Sequence, residues 1–149
     1  MKKITLFLFM ACLPLISCSS DDSSDGQSTR KIKATIDGTP YTFNTVSVGT
    51  QEFTDNGFTY TDVTITGSID NDPSKTISII MMQGETGNDA SWYFGLQEGE
   101  REFQKNGSFS TVVSESTNNF VKGTFSGTVV ATDDGETKVI TDGSFEATY

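Results

Sequence analysis

The sequence predicts an all-β fold, an antiparallel β-sandwich or partly open barrel of about eight strands. Apolar residues alternate with polar residues along most of the chain, which is the pattern of strands that bury one face. Fourteen glycines with many serines and threonines fit short strands joined by turns, and eleven phenylalanines can fill a core. No window has the apolar spacing of an amphipathic helix.

The N-terminus has the layout of a bacterial lipoprotein signal. Two lysines precede an apolar stretch, Ile4 to Ile16, that is shorter than the roughly 20 residues needed to cross a bilayer. Leu15 lies three residues before Cys18, which is the spacing of a lipoprotein processing site, and the Ala-x-Ala motif of ordinary signal cleavage is absent. We therefore expect residues 1–17 to be removed and Cys18 to be lipidated, which anchors the chain to the membrane.

Processing at Cys18 leaves an acidic chain without free thiols, because Cys12 departs with the signal. Ten basic residues fall to eight while all twenty acidic residues remain, so the net charge becomes −12. Such a domain repels nucleic acid and anionic head groups. The expected partners are therefore neutral or cationic, such as a glycan or another envelope protein.

A run of serine and aspartate, Ser19 to Asp25, follows the processing site. Because it is too polar to bury a core, we expect a flexible tether over residues 18–30 and a single domain over residues 31–149. The run resembles the acidic export signal of surface lipoproteins in Bacteroidetes. This resemblance implies an outer-membrane lipoprotein exposed at the cell surface, and a lipoprotein that faces the periplasm is the alternative.

The first predicted strand runs from Lys31 to Ile36 and ends at a turn, Asp37 to Pro40. An extended segment from Tyr41 to Val48 follows, and Asp55-Asn56-Gly57 marks a second turn. The apolar residues then move from even to odd positions near Thr61-Asp62. This change predicts a β-bulge or a strand that passes between two sheets.

The middle of the chain contains the aromatic residues of greatest interest. Thr76 to Met82 is apolar on both faces, which predicts a central strand covered on both sides. In the next strand Trp92, Phe94 and Leu96 share one face, and Tyr93 lies on the other.

Two long alternating runs, Val121 to Ala131 and Val139 to Tyr149, predict a final antiparallel hairpin. The odd-numbered residues of both runs are predicted to face the core. Glycines recur on this face, which implies close approach of another backbone or room for a large aromatic ring.

Three short motifs carry a family resemblance: Ala34-Thr35-Ile36-Asp37-Gly38, Gly123-Thr124-Phe125-Ser126-Gly127 and Thr141-Asp142-Gly143-Ser144-Phe145. With them the chain resembles a group of small Bacteroidetes lipoproteins that are described only as a domain of unknown function. The resemblance implies a fold and a location, and it brings no catalytic residues.

The absence of histidine excludes the usual Ser-His-Asp and Cys-His catalytic sites. A glycoside hydrolase needs only two carboxylates about 5 to 9.5 Å apart. Glu98, Glu100 and Glu102 recur with strand period, but their charged connector favours a solvated surface. We therefore expect a protein that is not an enzyme, with a small carboxylate-dependent hydrolase as the alternative.

The sequence predicts no metal site and no cofactor. Asp70-Asn71-Asp72 begins like a calcium loop, but Pro73 to Lys75 follow where further ligands and a glycine belong. Asp133 and Asp134 are typical turn residues at a hairpin tip.

Trp92 and Tyr93 are the candidate ligand-binding residues. Because neighbours on a strand point to opposite faces, one of the two can lie exposed as a platform for a sugar ring or a protein partner while the other lies in the core. We favour the alternative, in which both fill the core of a sandwich. For the protein as a whole we favour an anchored binding or accessory module over a purely structural envelope lipoprotein.

Overall fold

The computed structural model describes residues 29–88 and 90–149, and every regular element in them is a β-strand. The predicted all-β class is confirmed. The predicted signal peptide, most of the tether and Cys18 lie outside the described residues. The strands are β1 Arg30–Ile36, β2 Thr39–Phe43, β3 Thr45–Asp55, β4 Phe58–Ile69, β5 Asp72–Met82, β6 Gly87–Asn88, β7 Ser91–Glu98, β8 Arg101–Lys105, β9 Ser110–Ser116, β10 Phe120–Ala131 and β11 Thr137–Thr148.

The strands form one antiparallel sheet that curls into a half-barrel. Nine strands follow the order β2-β1-β11-β10-β8-β7-β5-β4-β3, and β9 pairs with β10 and with the two-residue strand β6. The described residues contain eleven strands, compared with the predicted number of about eight. The Tyr41–Val48 segment divides at Asn44 into β2 and β3, and the two-residue strand β6 was not predicted. The curl brings β3 back beside β1.

The hydrophobic core fills the concave side of the curled sheet. Phe94 of β7 faces Phe125 of β10 across it, with ring centroids 5.0 Å apart, and Phe145 of β11 stacks at 6.4 Å from Phe125. Because these rings come from three strands, they link β7, β10 and β11 through the core.

Both predicted hairpin turns are confirmed. Asp37 and Gly38 have φ of 49° and 79°, and Asn56 and Gly57 have φ of 49° and 83°. Two successive positive φ angles are the signature of the type I′ turns that match the twist of a β-hairpin.

The prediction of a bulge near Thr61 is wrong. β3 pairs with β4 without a register shift from the Thr45–Ser68 pair to the Asp55–Phe58 pair. Along β4, Val63 is buried and Phe58 points outward. The pairing of β4 with β5 begins at Asp62, which lies opposite Met82. The tip of the β3–β4 hairpin, residues 52–61, therefore projects beyond the end of β5. Its aromatic residues lie outside the core because no second layer covers them there.

β5 is central, as predicted, with β4 on one side and β7 on the other. Its inner residues Ile77, Ile79 and Met81 are fully buried. On the outer face Ile80 and Met82 are only half-buried, so the prediction of a strand covered on both sides holds for the inner face alone.

The final hairpin is confirmed, but its inward residues differ from the prediction in one segment. Val139 is 51% exposed and Ile140 is buried, whereas Gly143 and Phe145 face the core as expected. The pairing with β10 shifts by one residue next to Asp142, which has a φ of 53°. This bulge exchanges the two faces of β11, and an alternating sequence pattern gives no sign of it.

The glycines of this hairpin make room for aromatic rings, as predicted. Gly123 lies opposite Phe145, and Gly143 lies opposite Phe125. A Cβ atom on either glycine would overlap the ring opposite. In each pair, the phenylalanine ring therefore lies over the glycine of the neighbouring strand, which has no side chain there.

Candidate functional site

A β-bulge places Trp92 on the outer face of the sheet. Ile80 pairs with Tyr93 and Met81 pairs with Ser91, so Trp92 is the extra residue of β7. Ser91 is fully buried in the inward position, while Trp92 is 54% exposed. The predicted grouping of Trp92 with the core residues of β7 is therefore wrong, because the bulge reverses the alternation at this point.

Two hydrogen bonds fix the bulge. The Ser91 hydroxyl donates to the carbonyl oxygen of Tyr93 at 2.8 Å. The ammonium group of Lys105, on β8, donates to the Ser91 carbonyl oxygen at 2.9 Å. Each bond places a side-chain donor on a backbone carbonyl oxygen next to Trp92.

Asp62 holds the Trp92 side chain. The indole Nε1 donates to the Asp62 carboxylate at 3.3 Å, and Asp62 is 7% exposed. Since β5 lies between β4 and β7, the indole spans the outer face of β5. An exposed tryptophan is thus held in one orientation instead of moving freely in solvent.

Tyr93 lies flat on the same outer face, across Gly95. A Cβ atom on Gly95 would overlap the Tyr93 ring, so the glycine creates the space that the ring occupies. The Tyr93 hydroxyl donates to Glu102 at 2.6 Å. Desolvation, together with the hydrogen bond and the negative charge of Glu102, raises the pKa of Tyr93 to about 12.

Tyr93 and Trp92 are neighbouring platforms, with ring centroids 6.2 Å apart in an edge-on arrangement. Tyr93 is half-buried and Trp92 is exposed, so neither residue belongs to the core. The prediction that one of the two residues lies in the core is therefore wrong, and so is the alternative that both do.

Three further aromatic residues extend this surface along the β3–β4 hairpin. Tyr60 stacks between Phe53 and Phe58, with centroid distances of 5.5 and 6.3 Å, and Phe58 is 65% exposed. Tyr60 lies two residues from Asp62 on the same face of β4, a distance of about 7 Å. We call the set Phe53, Phe58, Tyr60, Trp92 and Tyr93 the outer aromatic face.

The sequence signal for Phe58 and Tyr60 was present but misinterpreted. Their even positions match Asp62, Thr64 and Thr66, which are the outward residues of β4. Continuing the alternation without a bulge would have placed both aromatic residues outside the core.

A shallow polar depression lies beside Tyr93, with a volume of about 100 Å³. Its lining residues are Thr76, Ser78, Tyr93, Gly95, Gln97 and Glu102. Hydroxyl, amide and carboxylate groups therefore border the aromatic rings, so the surface offers both apolar contact and hydrogen bonds.

Glu98 and Glu102, two of the three glutamates that recur with strand period, do not converge. In the register of the β7–β8 hairpin, Glu98 lies opposite Arg101 and Glu102 lies opposite Gln97. The side chains of the two glutamates are therefore on opposite faces of this hairpin. Glu98 binds Lys138 at 2.8 Å and also pairs with Lys75. Desolvation alone would raise the pKa of Glu98, but the hydrogen bonds from Lys138 and Lys75 outweigh it and lower the pKa.

The carboxylates that were considered for calcium bind protein groups instead. Asp70 accepts a hydrogen bond from Asn44 at 2.6 Å, and Asp72 accepts one from the Ser74 amide at 2.8 Å. Asp133 and Asp134 both pair with Arg101. In residues 29–88 and 90–149 no group of three or more potential ligands is placed to hold a metal ion.

The fold and the site together define a β half-barrel with a fixed aromatic surface on its convex side. Comparison with protein-family models, curated proteins and solved structures found no match for this chain. The part of the chain that the structure describes has no helix of the length and apolar character needed to cross a membrane.

Proposed function

We propose that this protein is a lipid-anchored surface lipoprotein whose β domain binds neutral glycans on the outer aromatic face. The observation that carries the proposal is Trp92, which a bulge turns outward and the Asp62 carboxylate holds in place. Bulges that redirect a side chain occur preferentially beside functional sites.

The orientation of Trp92 favours binding because little freedom is lost when a ligand covers it. The backbone on either side of it, at Ser91 and Tyr93, and its own indole are already held by hydrogen bonds. Ordering a free side chain on binding costs about 0.5 to 1.5 kcal/mol. A fixed aromatic surface avoids that cost and gains free energy when apolar atoms cover it.

A glycan matches this surface better than a charged polymer does. A sugar ring presents a face of C–H groups that packs on an indole or phenol ring, and its hydroxyls form hydrogen bonds at its edge. Asp62 and Glu102 offer acceptors at the edges of the two rings. The net charge of −10 disfavours anionic chains at this face.

Affinity for neutral polysaccharides tests the binding proposal. The mature protein is run through gels that contain xylan, galactomannan or amylopectin, and retardation is measured. We expect at least one polymer to retard the protein and the Trp92→Ala variant to lose most of the retardation. Val139→Ala removes an exposed apolar side chain on β11 and serves as the matched control.

A protein partner on the same face is the alternative occupant. In that case the Trp92→Ala variant and the wild-type protein would migrate equally in all three gels. That outcome would contradict the glycan proposal.

The anchoring proposal rests on Leu15 and Cys18 and on the acidic run that follows them. Incorporation of labelled palmitate in the wild-type chain, and its loss in Cys18→Ser, is the expected result. Protease treatment of intact cells then distinguishes the cell surface from the periplasmic face. Protection until the cells are lysed would overturn the surface assignment.

A further inference from the structure

A furrow on the outer side of β1, β11, β10 and β9 differs chemically from the outer aromatic face. Its volume is about 280 Å³. The side chains that matter here are Lys31, Lys33, Lys122, Thr124, Ser144 and Glu146. In the sheet order, β10 and β11 are separated from β5 and β4 by β8 and β7, so the furrow and the outer aromatic face lie on different walls of the half-barrel.

The furrow collects positive charge in a chain whose net charge is −10. Lys31 and Lys33 are exposed and pair with no carboxylate among the described residues. Lys122 pairs with Glu146 at 3.3 Å. Lys75 and Lys138 show the contrast, because both are bound to Glu98.

The side chains of the furrow are arranged in two rows across three strands. One row is Lys33, Ser144 and Thr124, and the other is Lys31, Glu146 and Lys122. Neighbouring strands are about 4.8 Å apart, and rows two residues apart are separated by about 7 Å. The floor is therefore about 10 Å by 7 Å, which is the scale of one or two sugar rings.

We propose that the furrow binds a small saccharide that carries one anionic group, a carboxylate or a phosphate. Lys31 and Lys33 hold the anion through charge-assisted hydrogen bonds. The hydroxyls of Ser144 and Thr124 and the carboxylate of Glu146 bond the neutral hydroxyls of the sugar. The volume of the furrow is just below the roughly 300 Å³ at which the usual range of ligand pockets begins, which fits a small ligand.

This site does not rest on the proposed function of the outer aromatic face. The two surfaces share no residue, and their ligands differ in charge. A variant that loses glycan binding at Trp92 should still bind the anionic saccharide in the furrow. A variant that loses binding in the furrow should still bind the neutral glycan.

Calorimetric titration of the mature protein in a neutral detergent tests the furrow. The probes are glucuronate and a hexose phosphate, with glucose and inorganic phosphate for comparison. We expect both anionic sugars to bind and Lys31→Gln/Lys33→Gln to weaken them at least tenfold, as expected when charge-assisted hydrogen bonds are lost. Lys75→Gln removes a positive charge on β5, away from the furrow, and should bind like the wild-type protein.

Three outcomes would overturn the proposal. Equal binding by the double variant and the wild-type protein would show that the lysines do not form the site. Equal affinity for inorganic phosphate and the hexose phosphate would show that the sugar hydroxyls contribute nothing. Binding only to vesicles of anionic lipid would assign the lysines to a membrane surface instead.

Discussion

The indole nitrogen of Trp92 and the carboxylate of Asp62 are 3.3 Å apart, although 30 residues separate them in the chain. The bond passes over β5 and joins the bulge of β7 to β4 at the point where the tip of the β3–β4 hairpin begins to project. The orientation of Trp92 therefore depends on both elements. This coupling makes the outer aromatic face one surface and not two separate aromatic clusters.

Replacing Asp62 with alanine should release the indole without unfolding the domain. We expect a loss of about 1 kcal/mol in the free energy of unfolding, since one hydrogen bond to a half-exposed ring is removed. Trp92 is the single tryptophan of the chain, so quenching of its fluorescence by acrylamide reports on this site alone. Quenching should increase in Asp62→Ala and stay at the wild-type level in Asp55→Ala, at the hairpin tip.

Tyr93 should ionise only at strongly alkaline pH. Its pKa is raised to about 12 by desolvation and by Glu102, so the stabilisation that it contributes is complete below pH 10 and is lost as the pH passes 12. In a pH titration of the wild-type protein, the phenolate absorbance should include one component that appears near pH 12. Tyr93→Phe should remove that component, and Glu102→Gln should move it to lower pH.

The acid limb of the stability curve should depend on Glu98. Its lowered pKa means that its stabilising effect is present above the ordinary value of 4.5 and is lost as the pH falls through the folded-state value. At neutral pH we expect Glu98→Gln to cost about 1 kcal/mol, because partial exposure weakens the pairs with Lys75 and Lys138. The difference between variant and wild-type protein should shrink below pH 4.5 in urea unfolding series.

Glu100→Gln is the matched control for Glu98. Glu100 lies in the adjacent turn and takes part in no ion pair among the described residues. The urea midpoints of Glu100→Gln should follow those of the wild-type protein at every pH. If the midpoints of Glu98→Gln and Glu100→Gln changed equally as the pH falls, the role assigned to Glu98 would be contradicted.

Gly143→Ala should destabilise the domain by about 3 kcal/mol, because the new methyl group overlaps the backbone and ring of Phe125. Gly49 on β3 offers the control, since a Cβ atom there meets nothing within 4 Å. Gly49→Ala should change the stability by less than about 1 kcal/mol. Similar thermal midpoints for the two variants would exclude the packing described for the final hairpin.

The sequence was sufficient to predict the elements that follow regular alternation. The turns at Asp37-Gly38 and Asn56-Gly57, the central position of β5 and the final hairpin all follow from turn chemistry and period-two patterns. Crowding at the glycines of this hairpin was also expected, as close approach of another backbone or as room for an aromatic ring, and Gly123 and Gly143 show both.

Two of the errors come from bulges, which reverse the alternation on one side of the irregularity, and a third comes from a bulge expected near Thr61 where the pairing is regular. The bulge at Trp92 depends on hydrogen bonds from Ser91 and Lys105, and the bulge next to Asp142 depends on a left-handed backbone. Neither has a local sequence signature. The partnership of Trp92 with Asp62 was equally invisible, because it requires the order of strands in the sheet.

The fluorescence of Trp92 tests the central claim most directly, because no other tryptophan contributes to the signal. Titration of the mature protein with soluble xylan, galactomannan and amylopectin oligosaccharides should give a saturable change in intensity with at least one of them. The change should be weaker in Asp62→Ala and unaltered in Val139→Ala. A signal that stays constant with every neutral oligosaccharide, in a protein that remains folded, would contradict glycan binding at the outer aromatic face.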